Sequence, residues 1–505
     1  KQVQTLTWQL NEVSEIAAYV GKPSSMDFNA MVRGYYRREA THLAELRVLL
    51  IDKSEREHQS HAVVMRLRKQ LAPLAKQGIV IKVVEVPPGP PVLSTLVAEV
   101  YRDDFVDEQT HYQAAKQLAE RLKQEPHVVE VDTSMVAPSP LQRFVTDKSK
   151  AAISAISTQN IAQSLSVATQ GETIGVLYVS SETEPVDIKL QLPYSERNQI
   201  SQLLALQVRG DRDLAKTSNE FGLQSAPRPL VSLSELGEFT QHQVADIRVR
   251  KDQRDVIYVM AELNGRTPAE VIADVNADFN AEPNYFEKTP WINRHFFNNG
   301  GTAPWQLPKG THANFSGEGE WRITIDVFRD MGIAFAFALS AIFIILRVQT
   351  QSASLSLIIM SAIPLTVIGI MPGFWLLNQF GERAIAGAPE PVLFTATAMI
   401  GMIALAGIVV RNSLILVEFI NQARGQGMAI KDALVAAGTV RMRPVLLTAG
   451  TTLLGNLVIT LDPVFSGLAI AIIFGIVAST VFSLFVVPLV YYLVFASSEG
   501  EAHAG

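Results

Sequence analysis

The chain has 505 residues, 48% hydrophobic and 18% charged, with a net charge of −6 and no cysteine. The charge is uneven: residues 331–505 hold 7 Lys+Arg and 7 Asp+Glu, while residues 1–330 hold 36 and 42. This excludes a wholly water-soluble enzyme and a disordered scaffold, since the last third is too apolar for either. It also excludes disulfides, thiolate catalysis and Cys-type zinc sites, and it offers no basic stripe to nucleic acid.

In chain order, the first segment, Gln2 to Tyr19, reads as a helix. With Lys1 first, and neither Met nor a signal-peptide core ahead of it, the chain reads as part of something longer. Then strand, helix, strand repeats. Leu46–Ile51 and Ile79–Val86 read as strands around a helix at Ser60–Lys76, which ends at a Gln77-Gly78 turn. Leu96–Tyr101, Gln109–Gln124 and His127–Val131 form a second copy. Val256–Leu263, a helix from Thr267 to Phe279 and a strand at His312–Phe315 form a third. Such units predict an α+β fold of ferredoxin-like βαβ repeats, followed by an α-helical membrane bundle.

Between the second and third copies, residues 145–225 read as a separate module, with a helix at Ala152–Leu165 and strands at Ile174–Val179 and Pro185–Leu192. The run from Pro87 to Pro91 is a stiff connector. Residues 281–310 form a long loop rich in Asn, Gly, Pro and aromatics: Tyr285, Phe286, Trp291, Phe296, Phe297 and Trp305. A loop this long is usually functional or mobile.

Five apolar stretches follow, at about 327–346, 354–378, 392–417, 445–461 and 466–495. Each approaches the ~20 residues that a spanning helix needs. The fourth has 17 uncharged residues after Pro444, short but sufficient if Arg443 snorkels to the interface. Five spans put the two ends of the bundle on opposite sides. Arg347, Arg424, Lys431, Arg441 and Arg443 gather on one side, against Arg383 alone on the other. The positive-inside rule then puts residues 1–330 outside the cytoplasm and residues 499–505 inside it.

Arg411 interrupts the third span, and an ionised group at that depth costs roughly 2.5–3.5 kcal/mol on insertion scales. Glu418, seven residues on, shares its helix face about 10 Å away along the axis, and it is the only other charge in that stretch. Either Arg411 reaches water or its carboxylate lies in sequence outside this chain. It reads as an ion-coupling residue or, more plainly, as a tether between helices. Arg441 and Thr448 share a face of the fourth span. They could continue a polar track, or they could be a cytoplasmic anchor and a hydroxyl bonded back into its own helix.

The stretch GIVVRNSLILVEFINQARGQGMAIKDALVAAGTVRMRPVLLTAGTTLLGNL resembles the tenth and eleventh spans of resistance-nodulation-division (RND) multidrug efflux transporters, inner-membrane permeases. The order of porter repeats, inserted module and five spans fits the second half of such a protein. The resemblance implies a proton relay at Arg411, Asn412, Arg441 and Thr448, answering aspartates on an N-terminal half not in this chain. Arg411 stands where those pumps usually have lysine, and loop 281–310 is longer than the family's. The resemblance further implies one porter subdomain at 1–94 lacking its first strand, a second at 95–144 with 226–325, a docking module at 145–225, and five transmembrane helices within 326–498. It implies a homotrimer in the Gram-negative bacterial inner membrane, with a periplasmic adaptor and an outer-membrane channel as partners. No cofactor beyond the proton gradient is expected. The substrates would be amphiphilic organic compounds, or in the alternative a narrow metal or lipid substrate; a non-transporting sensor or accessory protein is the further alternative.

Weaker signals stay open. Tyr35 and Tyr36 stand where multidrug pumps place aromatics near the drug pocket, but Arg33, Arg37, Arg38 and Glu39 suit an ordinary exposed turn. His58 and His61 read as solvated rather than metal-binding. Met26, Met31, Met65 and Met260 show no clustering by spacing. Gly317-Glu318-Gly319-Glu320 lacks the Lys-Ser/Thr of a phosphate loop, so transport would be secondary and the chain no enzyme.

Overall fold

The structure is a computed structural model. It describes residues 1–505 apart from 41, 53–54, 57, 76–77, 87–88, 137–139, 182–184, 212–215, 220–221, 226–227, 244–246, 282–293, 295–298, 301–302, 381–382, 386–387, 391, 463 and 503–505. Tyr285, Phe286, Trp291, Phe296 and Phe297 therefore lie outside the described residues. The chain forms two compact units, Lys1–Ser134 with Val249–Gly505, and Met135–Arg248.

The first unit begins with a short helix, Gln2–Thr7, and then β1 (Val13–Val20), so the expected single helix from Gln2 to Tyr19 does not form. Val13, Ile16, Tyr19 and Val20 suit a strand better than a helix, and β1 finds a ladder partner in β2 (Ala44–Leu50). Helix α1 (Ser60–Ala75) covers the pair. Its Val63, Leu67, Leu71 and Leu74 recur at helical spacing and bury against Leu10 and Val13.

Among the described residues Ile79–Val86 pairs with no strand, contrary to expectation. Side chains take its backbone groups instead. Val83 N–H donates to Glu130 Oε1 at 3.0 Å, and Val83 O accepts from Arg68 Nη2 at 2.8 Å.

A five-stranded sheet follows. It is built from β3 (Leu96–Arg102), β4 (Val128–Thr133), β5 (Val249–Lys251), β6 (Arg254–Leu263) and β7 (Thr311–Asn314). Helix α2 (Glu108–Gln124) joins β3 to β4, and α3 (Pro268–Ala277) lies between β6 and β7. One edge of β6 takes β5 along its first part and β4 along its second; the other edge takes β3. Strand β3 in turn pairs with β7. Thus β3 and β4 run parallel with β6 between them, and β6 and β7 run parallel with β3 between them. Leu96 to Tyr101 are all buried, as a central strand requires. Helix α3 starts at a capping box, Thr267 with Glu270, with Pro268 in the first turn.

The second unit pairs strands Pro140–Thr146 and Gly237–Gln243, and so extends beyond the 145–225 module on both sides. The expected helix Ala152–Leu165 is two helices, Lys148–Ile153 and Thr158–Thr169. Asp147 caps the first and Ser157 the second, and Ala155 between them has φ +49°. Strands Glu172–Leu177 and Val186–Leu190 form a hairpin. The core is Ala151, Ile156, Ile161, Val208, Leu233 and Leu236.

In the first unit the chain leaves β7 through Gly319, whose φ of +83° favours glycine. A Cβ there would sit 3.2 Å from Val97 N. Then come α4 (Gly319–Thr350), α5 (Ala362–Phe380, preceded by Ala353–Met360), α6 (Ala396–Gly425), α7 (Ile430–Leu457) and α8 (Ser466–Ala502). Among the described residues five segments are long and apolar enough to cross a membrane. The fourth apolar stretch belongs to a longer helix: α7 runs continuously through Arg441, Arg443 and Pro444. Around α8 pack α5, α6 and α7. Gly401 lets the backbones of α6 and α8 approach, since a Cβ would meet Leu468 O at 2.7 Å. The apolar windows of α4 and α7 are only 6% and 11% buried, against 44% for the other three, so these two helices present uncovered apolar sides.

Candidate functional site

The apolar run before Arg411 keeps α6 helical through the bundle, so Arg411 is held at the depth of its neighbours. Asn412 turns inward at 8% exposure, whereas Arg411 and Glu418 face away from the packed core. Neither makes an ion pair within 4 Å among the described residues. Arg441 on α7 reaches α6 from the side. Its guanidinium carbon lies 5.2 Å from the Phe419 ring centroid, within the range of a cation–π contact. Its buried Nε has no acceptor among the described residues. Thr448 bonds Val445 O at 3.0 Å, the self-satisfied state of a mid-helix hydroxyl. The structure therefore brings Arg441 to the helix of Arg411 through Phe419, but no hydrogen bond joins Arg411, Asn412, Arg441 and Thr448 to one another among the described residues.

Tyr35 and Tyr36 differ from each other. Gly34, at φ +68°, turns the chain, and Tyr35 packs inward at 9% exposure with the Arg38 guanidinium carbon 3.9 Å from its ring centroid. Tyr36 is 43% exposed with Met26, Phe28 and Met31 also exposed nearby in sequence. Of the pair, Tyr36 is the one open to a ligand.

His61 Nδ1 stands 3.1 Å from Glu85 Oε2. Burial pushes the Glu85 carboxyl up, but His61 and Ser60 outweigh it and hold the pKa below the usual value. Among the described residues no group of three His, Cys, Asp or Glu side chains is placed to hold a metal.

Three polar clusters were not evident in the sequence. The largest joins α2, α3 and loop 281–310. Arg121 bonds Glu125 and Asp278 at 2.8 and 2.6 Å; Arg266 bonds Glu125 and Asp274 at 2.7 and 2.6 Å; Arg294 bonds the same two acids at 3.0 and 2.9 Å. Gly300 N–H donates to Asp274 and Ala303 N–H to Asp278. Trp305 donates its indole N–H to Val275 O at 2.7 Å and packs on Phe279. Burial raises the Asp274 pKa, but the Gly300 N–H, Arg294 and Arg266 outweigh it and hold the pKa low.

The second cluster ties the sheet to α4. Fully buried Glu99 accepts from Tyr101 at 3.0 Å and from Lys251, which also bonds Gly317 O and Glu318. Burial and the Glu99 carboxylate push the Tyr101 phenol up to about 12. Burial opposes the Lys251 charge, but Glu318 and Glu99 overcome it and raise the pKa. The third cluster is a set of hydroxyls between α6 and α8.

Residues 2–288 and 302–495 match the model of the AcrB/AcrD/AcrF family. The chain belongs to that family, the RND transporters. This member of the family is a multi-pass membrane protein with five apolar helices. It is 25% identical over 437 residues to the nickel and cobalt resistance protein CnrA of Cupriavidus metallidurans, covering 84% of the chain and 36% of that protein. It is 28% identical over 172 residues to the swarming motility protein SwrC of Bacillus subtilis, covering 33% of the chain and 15% of that protein. A heavy metal efflux pump, crystal form II, shares the fold at TM-score 0.67 and 18% identity, over 98% of this chain and 44% of that one. The chain thus spans about a third of the length of the resistance protein and under half of the solved pump.

Proposed function

We propose that the chain is the second half of a proton-driven exporter. It would work with an N-terminal half carrying the acidic relay residues, in a trimer joined to a periplasmic adaptor and an outer-membrane channel. The observation that carries this reading is Arg411. It is a permanent cation set within a spanning helix, turned away from the packed core and without a carboxylate partner among the described residues. Such a charge holds an approaching carboxylate ionised and releases it when that group takes a proton. The interleaved order of the five-stranded sheet supports a ferredoxin-like porter subdomain.

Amphiphilic organic compounds are the first substrate reading, supported by exposed Met26, Phe28, Met31 and Tyr36. Divalent metal ions are the second, favoured by the names of CnrA and of the solved pump.

The test is proton-linked efflux from proteoliposomes by the complete protein, with a panel of fluorescent amphiphiles and with nickel and cobalt ions. Arg411→Ala is expected to abolish efflux while leaving a folded trimer. Full efflux by that variant excludes the relay. Efflux of the ions alone selects the metal reading.

A further inference from the structure

Hydroxyls inside apolar helices commonly bond a carbonyl one turn back. Ser340, Thr350, Thr439 and Thr452 do so here, to Ala336 O, Leu346 O, Val435 O and Thr448 O. A group between α6 and α8 departs from that habit. Ser413 on α6 and Ser483 on α8 bond each other at 3.2 Å, and they are 0% and 3% exposed. Thr480, one turn before Ser483, is 6% exposed, and its Oγ1 meets no hydrogen-bond partner among the described residues. Ser479 beside it returns its hydroxyl to Ile476 O, so the departure belongs to Thr480 and not to the whole turn.

A buried hydroxyl left unpaired costs ~1–3 kcal/mol, and buried polar groups are met by protein or by ordered water. Side chains at i and i+3 on a helix stand about 5–6 Å apart at Cβ, a gap one water can bridge. Ser413 is two residues after Arg411 on α6, about 3 Å along the axis, so the hydroxyls lie at the depth of the fixed charge, on the buried side of the helix from which Arg411 turns away.

We propose that Ser413, Thr480 and Ser483 form a hydration site that holds ordered water between α6 and α8 and keeps proton traffic near Arg411 wet. The three are positioning residues: they hold the water, which takes a proton from one neighbouring oxygen as it passes another on, with no net change in itself. The proton role rests on the transport reading above; the hydration site does not.

Two measurements on the complete protein separate these. The first is a structure at a resolution that shows ordered water, for the parent and for Thr480→Val. Water density within hydrogen-bond distance of Thr480 Oγ1 and of Ser413 or Ser483, lost in the variant, is the expected result. A dry Thr480 in the parent overturns the site. The second is proton uptake into proteoliposomes, followed with a pH-sensitive dye in H2O and D2O. Thr480→Val and Ser413→Ala are expected to slow uptake about tenfold, a change equal to ~1.4 kcal/mol in barrier. Thr480→Ser should restore it, and Ser479→Ala should leave it unchanged. Uptake at the parental rate in Thr480→Val overturns the proton role. A parent that takes up no protons overturns the transport reading, while the density still decides the site.

Discussion

Arg294 Nη1 lies 2.9 Å from Asp274 Oδ2, and both side chains are nearly inaccessible at 9% and 3% exposure. The pair fastens loop 281–310 to α3 from inside a network of three arginines and three acids. Removing one member leaves an uncompensated buried charge, which costs about 3–5 kcal/mol. Asp274→Ala should therefore loosen the loop without unfolding the membrane helices, and the readout is a rise in tryptic cleavage after Arg294. The pH dependence has a definite sign. The Asp274 pKa is held below the ordinary aspartate value of about 3.9, so its contribution is fully present above that pH and is lost as pH falls through the lower folded value. Below pH 4 the parent should become more sensitive to an acid-active protease such as pepsin as acid is added, and Asp274→Asn should show less of that acid dependence.

Glu130 carries a second latch. Its φ of +54° is left-handed, a conformation that costs a non-glycine residue roughly 1–2 kcal/mol. What the turn achieves is a carboxylate aimed out of β4 at Arg68 Nε, 2.9 Å away, and at Val83 N–H. Charged hydrogen bonds of this type contribute about 1.5–3 kcal/mol. Glu130→Ala keeps the strain and loses the bonds, whereas Glu130→Gly loses the bonds and relieves the strain. Denaturation midpoints should therefore rank parent, then Glu130→Gly, then Glu130→Ala. An alanine variant as stable as the parent would show that the latch is idle.

These two cases mark where the sequence is informative. Thr267, Pro268 and Glu270 announce the start of α3 within a few residues, and the strands Leu96–Tyr101 and Val256–Leu263 stand out by composition. The third and fifth spans are equally plain, because apolar length is a local property. Val13–Val20 is not plain, because its strand depends on a partner about thirty residues away. Ile79–Val86 has a strand's composition but, among the described residues, no ladder, and Glu130 and Arg68 take Val83's backbone groups. The six-residue charge network was hidden for the same reason: Arg121 and Asp278 are 157 positions apart. At the candidate site, Arg411 was legible because one charge in an apolar run has no cheap explanation. Thr480 was not, since serine and threonine are ordinary in such runs and only packing reveals which hydroxyl goes without a partner.

Tyr101 gives a direct optical test of the cluster at the base of α4. Its phenol titrates at about 12, raised by burial and by the Glu99 carboxylate 3.0 Å away. Glu99→Gln removes the charge, so ultraviolet difference titration should show Tyr101 ionising nearer the ordinary value of about 10. Because the folded pKa is raised, the stabilisation from the neutral phenol is complete below pH 10 and is lost as pH rises from there through about 12. The parent should therefore lose stability across that alkaline window more steeply than Glu99→Gln.

Replacing Arg411 by lysine asks what its charge is for. If carboxylates carry the protons and Arg411 only supplies a fixed positive charge, lysine retains the charge near neutral pH and the pump should keep most of its efflux. Lysine also presents a compact ammonium in place of a planar fork, and its pKa drops readily when buried. Arg411→Lys should then match the parent at neutral pH and fall away first as the medium becomes alkaline, because a deprotonated lysine no longer attracts a carboxylate. Arg411→Ala should fail at every pH. The measurement is efflux rate against pH for the three proteins under one imposed proton gradient. A lysine variant that fails as completely as alanine would show that the fork geometry, and not the charge, is what α6 must supply.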